Sequence, residues 1–170
     1  IPGGPLRANI VDQLVFTSGL LKMGEGTAAD PVVRRAARAG RAIFEAHTEP
    51  RGAERFAGKR FLAFAGIGHP DKFFGTLRQA GGELVLSKSF PDHHFYAEDE
   101  LAALAATARR DGLRLITTAK DAARLRHGAS QEFLDQLEVL EIDAVFELDH
   151  VPERIINETL DAWRQRKLRG

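Results

Sequence analysis

Asp92, His93 and His94 are three consecutive side chains that can transfer protons or bind a metal ion. They lie in the segment 90–96, after an apolar run at 83–87 and before acidic residues at 98–100. The apolar run predicts a strand, and the acidic residues predict the first turn of a helix. A loop that joins a strand to a helix at the edge of an α/β sheet is where such folds bind ligands. The segment is therefore the first candidate for a functional site.

Spacing alone leaves three interpretations of this segment open. The carboxylate and imidazoles could bind a metal ion, although adjacent residues rarely ligate one ion together and the other histidines are scattered along the chain. One histidine could act as a general base toward a substrate hydroxyl. Alternatively, the histidines could be structural, with their rings hydrogen-bonded at the end of a strand.

Two further loops are predicted to follow strands. Gly66 and Gly68 come after the apolar strand 60–65 and before a helix that opens at Pro70. The two glycines either let backbone amides approach a ligand or serve only a tight turn. Lys120 and Asp121 follow the strand 113–117 and belong either to a site or to an exposed helix start. Since parallel strands end at the same edge of a sheet, we expect all three loops to converge there.

The alternation of strands and helices from 60 to 147 predicts an α/β fold. We expect a mostly parallel sheet with helices on both faces, a Rossmann-like three-layer α/β/α arrangement. Residues 20–29 are predicted as a loop and residues 138–147 as one strand. The segment 53–59 imitates a phosphate-binding loop, but Arg60 replaces the Ser or Thr that would hold magnesium, and the segment precedes a strand. We interpret it as a turn.

The amino-acid composition limits the classes of protein to which the chain can belong. The 170 residues include 24 basic and 24 acidic side chains, and this balance argues against nucleic acid as the main partner. The chain has no cysteine, so disulfides and thiol chemistry are excluded. It has no apolar run long enough to span a bilayer. The opening residues Ile1–Pro5 are an unusual start for a protein, and we expect the chain to be a piece of something longer.

Four ordered motifs, at 2–7, 64–74, 89–96 and 117–125, resemble the carboxyl-terminal half of the tetraacyldisaccharide 4'-kinase family. The resemblance implies phosphorylation of the 4'-hydroxyl of a lipid A disaccharide precursor at the cytoplasmic face of the bacterial inner membrane. It implies ATP and Mg²⁺ as cofactors, held mainly by an amino-terminal half that these residues lack, so the chain alone is expected to be inactive. Contact with an anionic membrane surface is a further expectation.

Residue roles are carried over from the same resemblance. His93, or His94 as the second choice, would help to deprotonate the sugar hydroxyl beside an aspartate from the amino-terminal half. Asp92 would orient the loop, and Arg7 would neutralise charge on the transferring phosphoryl group. The residues expected to line the cleft between the two halves are Gly66, Gly68, Lys120 and Asp121.

The family resemblance also suggests a domain division. Residues 1–58 would be a connecting segment from the amino-terminal half, residues 59–150 the Rossmann-like domain, and residues 151–170 a carboxyl-terminal amphipathic helix. The chain departs from the family pattern at Ala8 and Ala119, where the family has a glutamate. Two other function classes stay open: a non-catalytic binding or interaction domain, and an Asp-His-His metal-dependent phosphoesterase, for which suitably placed further aspartates are missing.

Overall fold

The computed structural model describes residues 9–168. The helices are α1 (Ile10–Val15), α2 (Asp30–Arg38), α3 (Pro70–Gln79), α4 (Glu98–Asp111), α5 (Ala119–Leu125), α6 (Gln131–Asp135) and α7 (Val151–Leu168), with a short 3-10 helix at Ala53–Arg55. The strands are β1 (Gly19–Met23), β2 (Ala42–Pro50), β3 (Arg60–Ala65), β4 (Glu83–Ser89), β5 (Arg114–Thr118), β6 (Leu137–Leu140) and β7 (Ile142–Phe146).

The chain divides into two compact units. One is Glu49–Asp143, and the other is formed by the described parts of the segments on either side of it. The first unit contains a parallel four-stranded sheet in the order β4-β3-β5-β6, and the second is built around a three-stranded sheet in the order β1-β2-β7. The division into residues 1–58, 59–150 and 151–170 stays a prediction.

The four-stranded sheet is covered on both faces because β3 is apolar on both faces. Phe61, Ala63 and Ala65 pack with the apolar stripe of α3. Leu62 and Phe64 point to the opposite face and pack against α4 and the end of α5. A central strand buried on both sides is typical of parallel sheets between two helical layers. The predicted α/β fold class is confirmed.

The helices of this unit begin and end where local residues dictate. Pro70 occupies the first turn of α3, where its missing N–H leaves no hydrogen bond unmade. Gly112 ends α4 in the left-handed conformation, with a φ of 63°. Thr118 caps α5, since its hydroxyl accepts a hydrogen bond from the Asp121 amide at 3.1 Å. Each loop between strand and helix is therefore short and fixed at both ends.

Two sequence predictions about strands were wrong. Residues 20–29 do not form a loop throughout, because β1 pairs in parallel with β2 from Gly19↔Ala42 to Met23↔Ala46. Residues 138–147 do not form one strand, because the chain leaves the four-stranded sheet at Leu140 and enters the three-stranded sheet at Ile142. Periodicity reports an extended chain but not which sheet the chain joins.

Candidate functional site

The three loops at the carboxyl edge of the parallel sheet meet at the backbone of Gly66. The Gly66 amide donates to Asp121 Oδ2 at 3.1 Å. The Gly66 carbonyl accepts from the His93 amide at 3.1 Å and from Arg124 Nη1 at 2.8 Å. The loop after β3, the loop after β4 and the first turns of α5 are thus joined through the backbone of one residue. The predicted convergence of the three loops is observed, and the chemical roles of their residues stay predictions.

Gly66 and Gly68 differ in their surroundings. A Cβ added at Gly66 would lie 3.1 Å from the Cβ of His94, 3.1 Å from Tyr96 Oη and 3.2 Å from the Pro91 carbonyl. A Cβ at Gly68 would lie 3.6 Å from Asp92 Oδ2, which is an ordinary van der Waals distance. Only the first glycine is therefore required by close packing, while Gly68 is exposed at the edge of the site.

Asp121 is fully buried, although the sequence left open an exposed helix start. Its Oδ2 accepts from the Thr118 hydroxyl at 2.8 Å as well as from Gly66, and its Oδ1 accepts from Arg124 Nη1 at 2.8 Å. A buried carboxylate is tolerated when it is paired and its lone pairs are used. Lys120, the preceding residue, is exposed and lies outside this network within the part of the chain that the structure describes.

His93 is the exposed histidine of the pair, with 80 % of its side chain accessible. Its φ of 60° makes it the one non-glycine residue with positive φ among residues 9–168. Such a conformation costs about 1–3 kcal/mol and persists only where neighbouring contacts hold it. Here the His93 amide donates to the Asp92 carboxylate at 3.0 Å and to the Gly66 carbonyl. Backbone strain of this kind concentrates at functional sites.

His94 has a different environment. Its Nε2 lies 2.8 Å from Glu100 Oε2, and its ring stacks on Phe90 at a centroid distance of 4.7 Å. Glu100 also accepts from the Ala97 amide at 3.0 Å, so it caps the start of α4. The Ala97 amide first, and then His94, holds the pKa of Glu100 below its usual value. These contacts tie the His94 ring to the framework of the loop.

Tyr96 fills the space behind the two histidines. Its ring contacts Phe64 and Phe90 edge-on, at centroid distances of 5.6 Å and 5.0 Å. Its hydroxyl is buried without a hydrogen-bond partner of normal geometry among the described residues. Burial raises the pKa of Tyr96 well above its ordinary value, and the negative charge of Asp121 raises it further. Neither Tyr96 nor Arg124 was singled out from the sequence.

Arg7 and Ala8 lie outside the described residues. Within residues 9–168 there is no cluster of three or more His, Cys, Asp or Glu side chains that could hold a metal ion. No helix of the same residues is both long enough and apolar enough to cross a membrane.

The sequence of the chain is similar to those of known proteins. Residues 1–161 match the family model described as tetraacyldisaccharide-1-P 4'-kinase. The chain belongs to this family. The matched range includes Gly66, Asp92–His94 and Asp121, and the roles of these residues stay predictions.

Individual relatives agree with the family model. The chain is 83% identical over 170 residues to the tetraacyldisaccharide 4'-kinase of Mesorhizobium japonicum, covering 100% of this chain and 50% of the relative. It is 47% identical over 171 residues to that of Agrobacterium fabrum, covering 99% of this chain and 49% of the relative. The chain thus spans about half the length of the curated relatives it matches.

A solved structure titled as LpxK from Aquifex aeolicus in complex with ATP is also similar, with a TM-score of 0.46 at 18% identity. The similarity covers 82% of this chain and 51% of that one.

Two further residues have defined positions in the fold. Ala119 is the first residue of α5 and is exposed. Arg124 belongs to the same helix and lies three residues after Asp121, so both side chains share one face of α5. That i, i+3 spacing was the available signal for the Asp121–Arg124 pair.

Proposed function

We propose that this chain forms the carboxyl-terminal part of an ATP-dependent kinase that phosphorylates the 4'-hydroxyl of the tetraacyldisaccharide 1-phosphate lipid A precursor. Family membership supports the reaction class. The observation that carries the proposal is His93, an exposed imidazole held at positive φ above the carboxyl edge of the sheet. A strained and exposed histidine in the loop that follows β4, at the carboxyl edge of the sheet, suits a role in the deprotonation of a bound hydroxyl.

The proposed roles follow from position. His93 assists deprotonation of the sugar hydroxyl, while His94, paired with Glu100, supports the loop. Asp92 orients His93 through its backbone amide. Arg7, which lies outside the described residues, is proposed to neutralise charge on the transferring phosphoryl group. The residues proposed to line the cleft toward an amino-terminal half are Gly66, Gly68, Lys120 and Asp121.

MgATP is proposed to bind to that amino-terminal half. The described residues do not fit it by themselves, because they offer no cluster of three acidic or histidine ligands. The segment before β3 contains a 3-10 helix at Ala53–Arg55 and leads into a strand, whereas a phosphate-binding loop connects a strand to a helix.

The proposed location is the cytoplasmic face of the bacterial inner membrane, where the lipid precursor would be met. Helix α7 is amphipathic and leaves Ile156, Leu160 and Trp163 exposed. Basic residues follow in its last turns, and lysine or arginine near an anionic surface contributes about 1 kcal/mol each. Peripheral contact of this helix with anionic lipid is part of the proposal.

The test uses a hybrid kinase in which this chain replaces the carboxyl-terminal half of the Mesorhizobium japonicum relative. We expect His93→Ala to lower kcat about 100- to 10,000-fold with little change in the KM for the lipid, because a proton-transfer group is lost after binding. His94→Ala is the matched control, and we expect it to lower the melting temperature more than the turnover. The chain alone should show no kinase activity.

Two outcomes would contradict the proposal. Normal turnover in His93→Ala would make the motif structural. A strongly lowered kcat in His94→Ala together with a normal kcat in His93→Ala would show that the assignment within the pair is wrong.

A further inference from the structure

We propose that Arg124 is a positioning residue that fixes the tautomer and orientation of His93, with the ring proton on Nε2. This inference rests on the proposed function of His93. Arg124 Nη2 lies 3.3 Å from His93 Nδ1. A guanidinium carries only hydrogen-bond donors, so the nitrogen that faces it must accept. In the neutral imidazole, one ring nitrogen accepts and the other carries the proton.

The opposite side of the ring favours the same tautomer. Asp92 Oδ2 lies 3.7 Å from His93 Nε2. A carboxylate next to Nε2 favours a proton on that nitrogen, just as a cation next to Nδ1 disfavours one there. The His93 ring is therefore placed between a donor and an acceptor of opposite charge, and both select the Nε2–H form.

Arg124 can impose this choice because its own position is fixed. Its Nη1 donates to Asp121 Oδ1 and to the Gly66 carbonyl, both at 2.8 Å. Asp121 is fully buried and is held in turn by Thr118 and the Gly66 amide. The guanidinium side chain is only 24 % exposed. These two hydrogen bonds set the direction in which Nη2 points.

The same contacts link the backbone and the ring of His93. The Gly66 carbonyl accepts from both the His93 amide and Arg124, so the residue's positive φ and its ring orientation depend on one acceptor. The ring presents Nε2–H at the exposed side of the loop as a hydrogen-bond donor. Because Nδ1 faces Arg124, His93 would assist the proton transfer by donating from Nε2–H to the carboxylate of the amino-terminal half that accepts the hydroxyl proton, and would not itself be the base.

Lysine at position 124 would not reproduce this arrangement. A single ammonium can stay paired with the buried Asp121 carboxylate, but it lacks the planar fork that serves Asp121, Gly66 and His93 together. Arg124→Lys therefore keeps the buried charge pair while releasing the ring. Arg126→Lys, at the C-cap of α5, is the matched control because that residue is exposed on the same helix.

The first measurement is ¹⁵N NMR of the histidine rings in this chain at about pH 8.5, where an ordinary imidazole is neutral. The His93 resonances are assigned by their loss in His93→Gln. We expect the unaltered chain to show His93 as the Nε2–H tautomer, and Arg124→Lys to shift it to a mixture of tautomers while Arg126→Lys leaves it unchanged. An Nδ1–H form in the unaltered chain, or an unchanged tautomer in Arg124→Lys, would overturn the inference.

The second measurement is steady-state kinetics of the hybrid kinase. We expect Arg124→Lys to lower kcat about 10- to 100-fold, the range for groups that orient a functional histidine, with the KM for the lipid within about twofold. Arg126→Lys should turn over normally. If His93→Ala turns over normally, the proposed function fails. If His93→Ala has a strongly lowered kcat and Arg124→Lys has a normal one, the proposed function of His93 is supported and the positioning role of Arg124 is refuted.

A third comparison does not depend on how well Arg124→Lys folds. The amide N–H of glutamine lies close to the place of Nε2–H, whereas that of asparagine lies close to the place of Nδ1. His93→Gln should therefore retain more turnover than His93→Asn. Equal losses in the two variants, at equal melting temperatures, would contradict the assigned tautomer.

Discussion

Replacement of Gly66 by alanine tests the central junction of the site. The new Cβ would lie 3.1 Å from the Cβ of His94, 3.1 Å from Tyr96 Oη and 3.2 Å from the Pro91 carbonyl. All three atoms belong to the loop after β4, so the methyl group would push that loop outward by a few tenths of an ångström. The Gly66 peptide is itself held by Asp121, His93 and Arg124, and it cannot shift in the opposite direction without lengthening those bonds.

The expected loss of stability in Gly66→Ala follows from the overpacking that the added methyl group causes. Inserting a methyl group into a well-packed site typically costs about 1–3 kcal/mol. The lower conformational entropy of alanine in the unfolded chain offsets about 0.4–1 kcal/mol of this. We therefore expect Gly66→Ala to lower the free energy of unfolding by about 1–2 kcal/mol.

Urea denaturation of the chain, with two control variants, measures this loss. Gly68→Ala places its Cβ at 3.6 Å from Asp92 Oδ2, and Gly75→Ala, inside α3, has no atom within 4 Å of its Cβ. We expect the first to be close to neutral and the second to stabilise by up to about 1 kcal/mol. If Gly66→Ala is as stable as Gly68→Ala, the argument from close approach is wrong. In the hybrid kinase, Gly66→Ala should also lower kcat, since it displaces His93.

Two further predictions concern ionisation. Tyr96 is the single tyrosine of the chain, so absorbance titration reports its ionisation directly. We expect it to ionise well above pH 10.0, because burial and then the charge of Asp121 raise its pKa. Ionisation near pH 10.0 would contradict its buried position. The lowered pKa of Glu100 means that its ionised form stabilises the fold at neutral pH and that this contribution is lost as the pH falls below 4.5, the ordinary pKa of that carboxyl group. The melting temperature of the unaltered chain should therefore fall more steeply over that range than that of Glu100→Gln, and parallel curves would refute the assigned contacts.

The fold class could be predicted because β3 is apolar on both faces and because the strands alternate with helices. The convergence of three loops at one edge followed from the parallel direction of the strands. Neither argument needed side-chain detail. The switch of the chain between two sheets at Glu141 could not be predicted, because an extended run of residues carries no signal of which partner strand it will pair with.

Within the site, the sequence predicted which element each residue lies on better than it predicted the burial and contacts of its side chain. Asp121 was placed correctly at the start of a helix, but its complete burial depends on Gly66, a residue far away in the chain. Arg124 has the i, i+3 spacing for a pair with Asp121, yet exposed pairs of that spacing are common and carry little energy. Its contact with His93 depends on the left-handed turn of the loop after β4, which no local pattern around His93 predicts.

The two-unit division has a consequence for the order in which the chain folds. The three-stranded sheet needs β2 beside β7, and residues 51–141, nearly all of the unit Glu49–Asp143, lie between these strands in the sequence. Closing so long a loop in an unfolded chain costs more entropy than closing the short connections inside the four-stranded sheet. Prior folding of Glu49–Asp143 brings its two ends to fixed places and removes most of that cost. The pairing of β2 with β7 therefore depends on prior formation of the unit that carries His93.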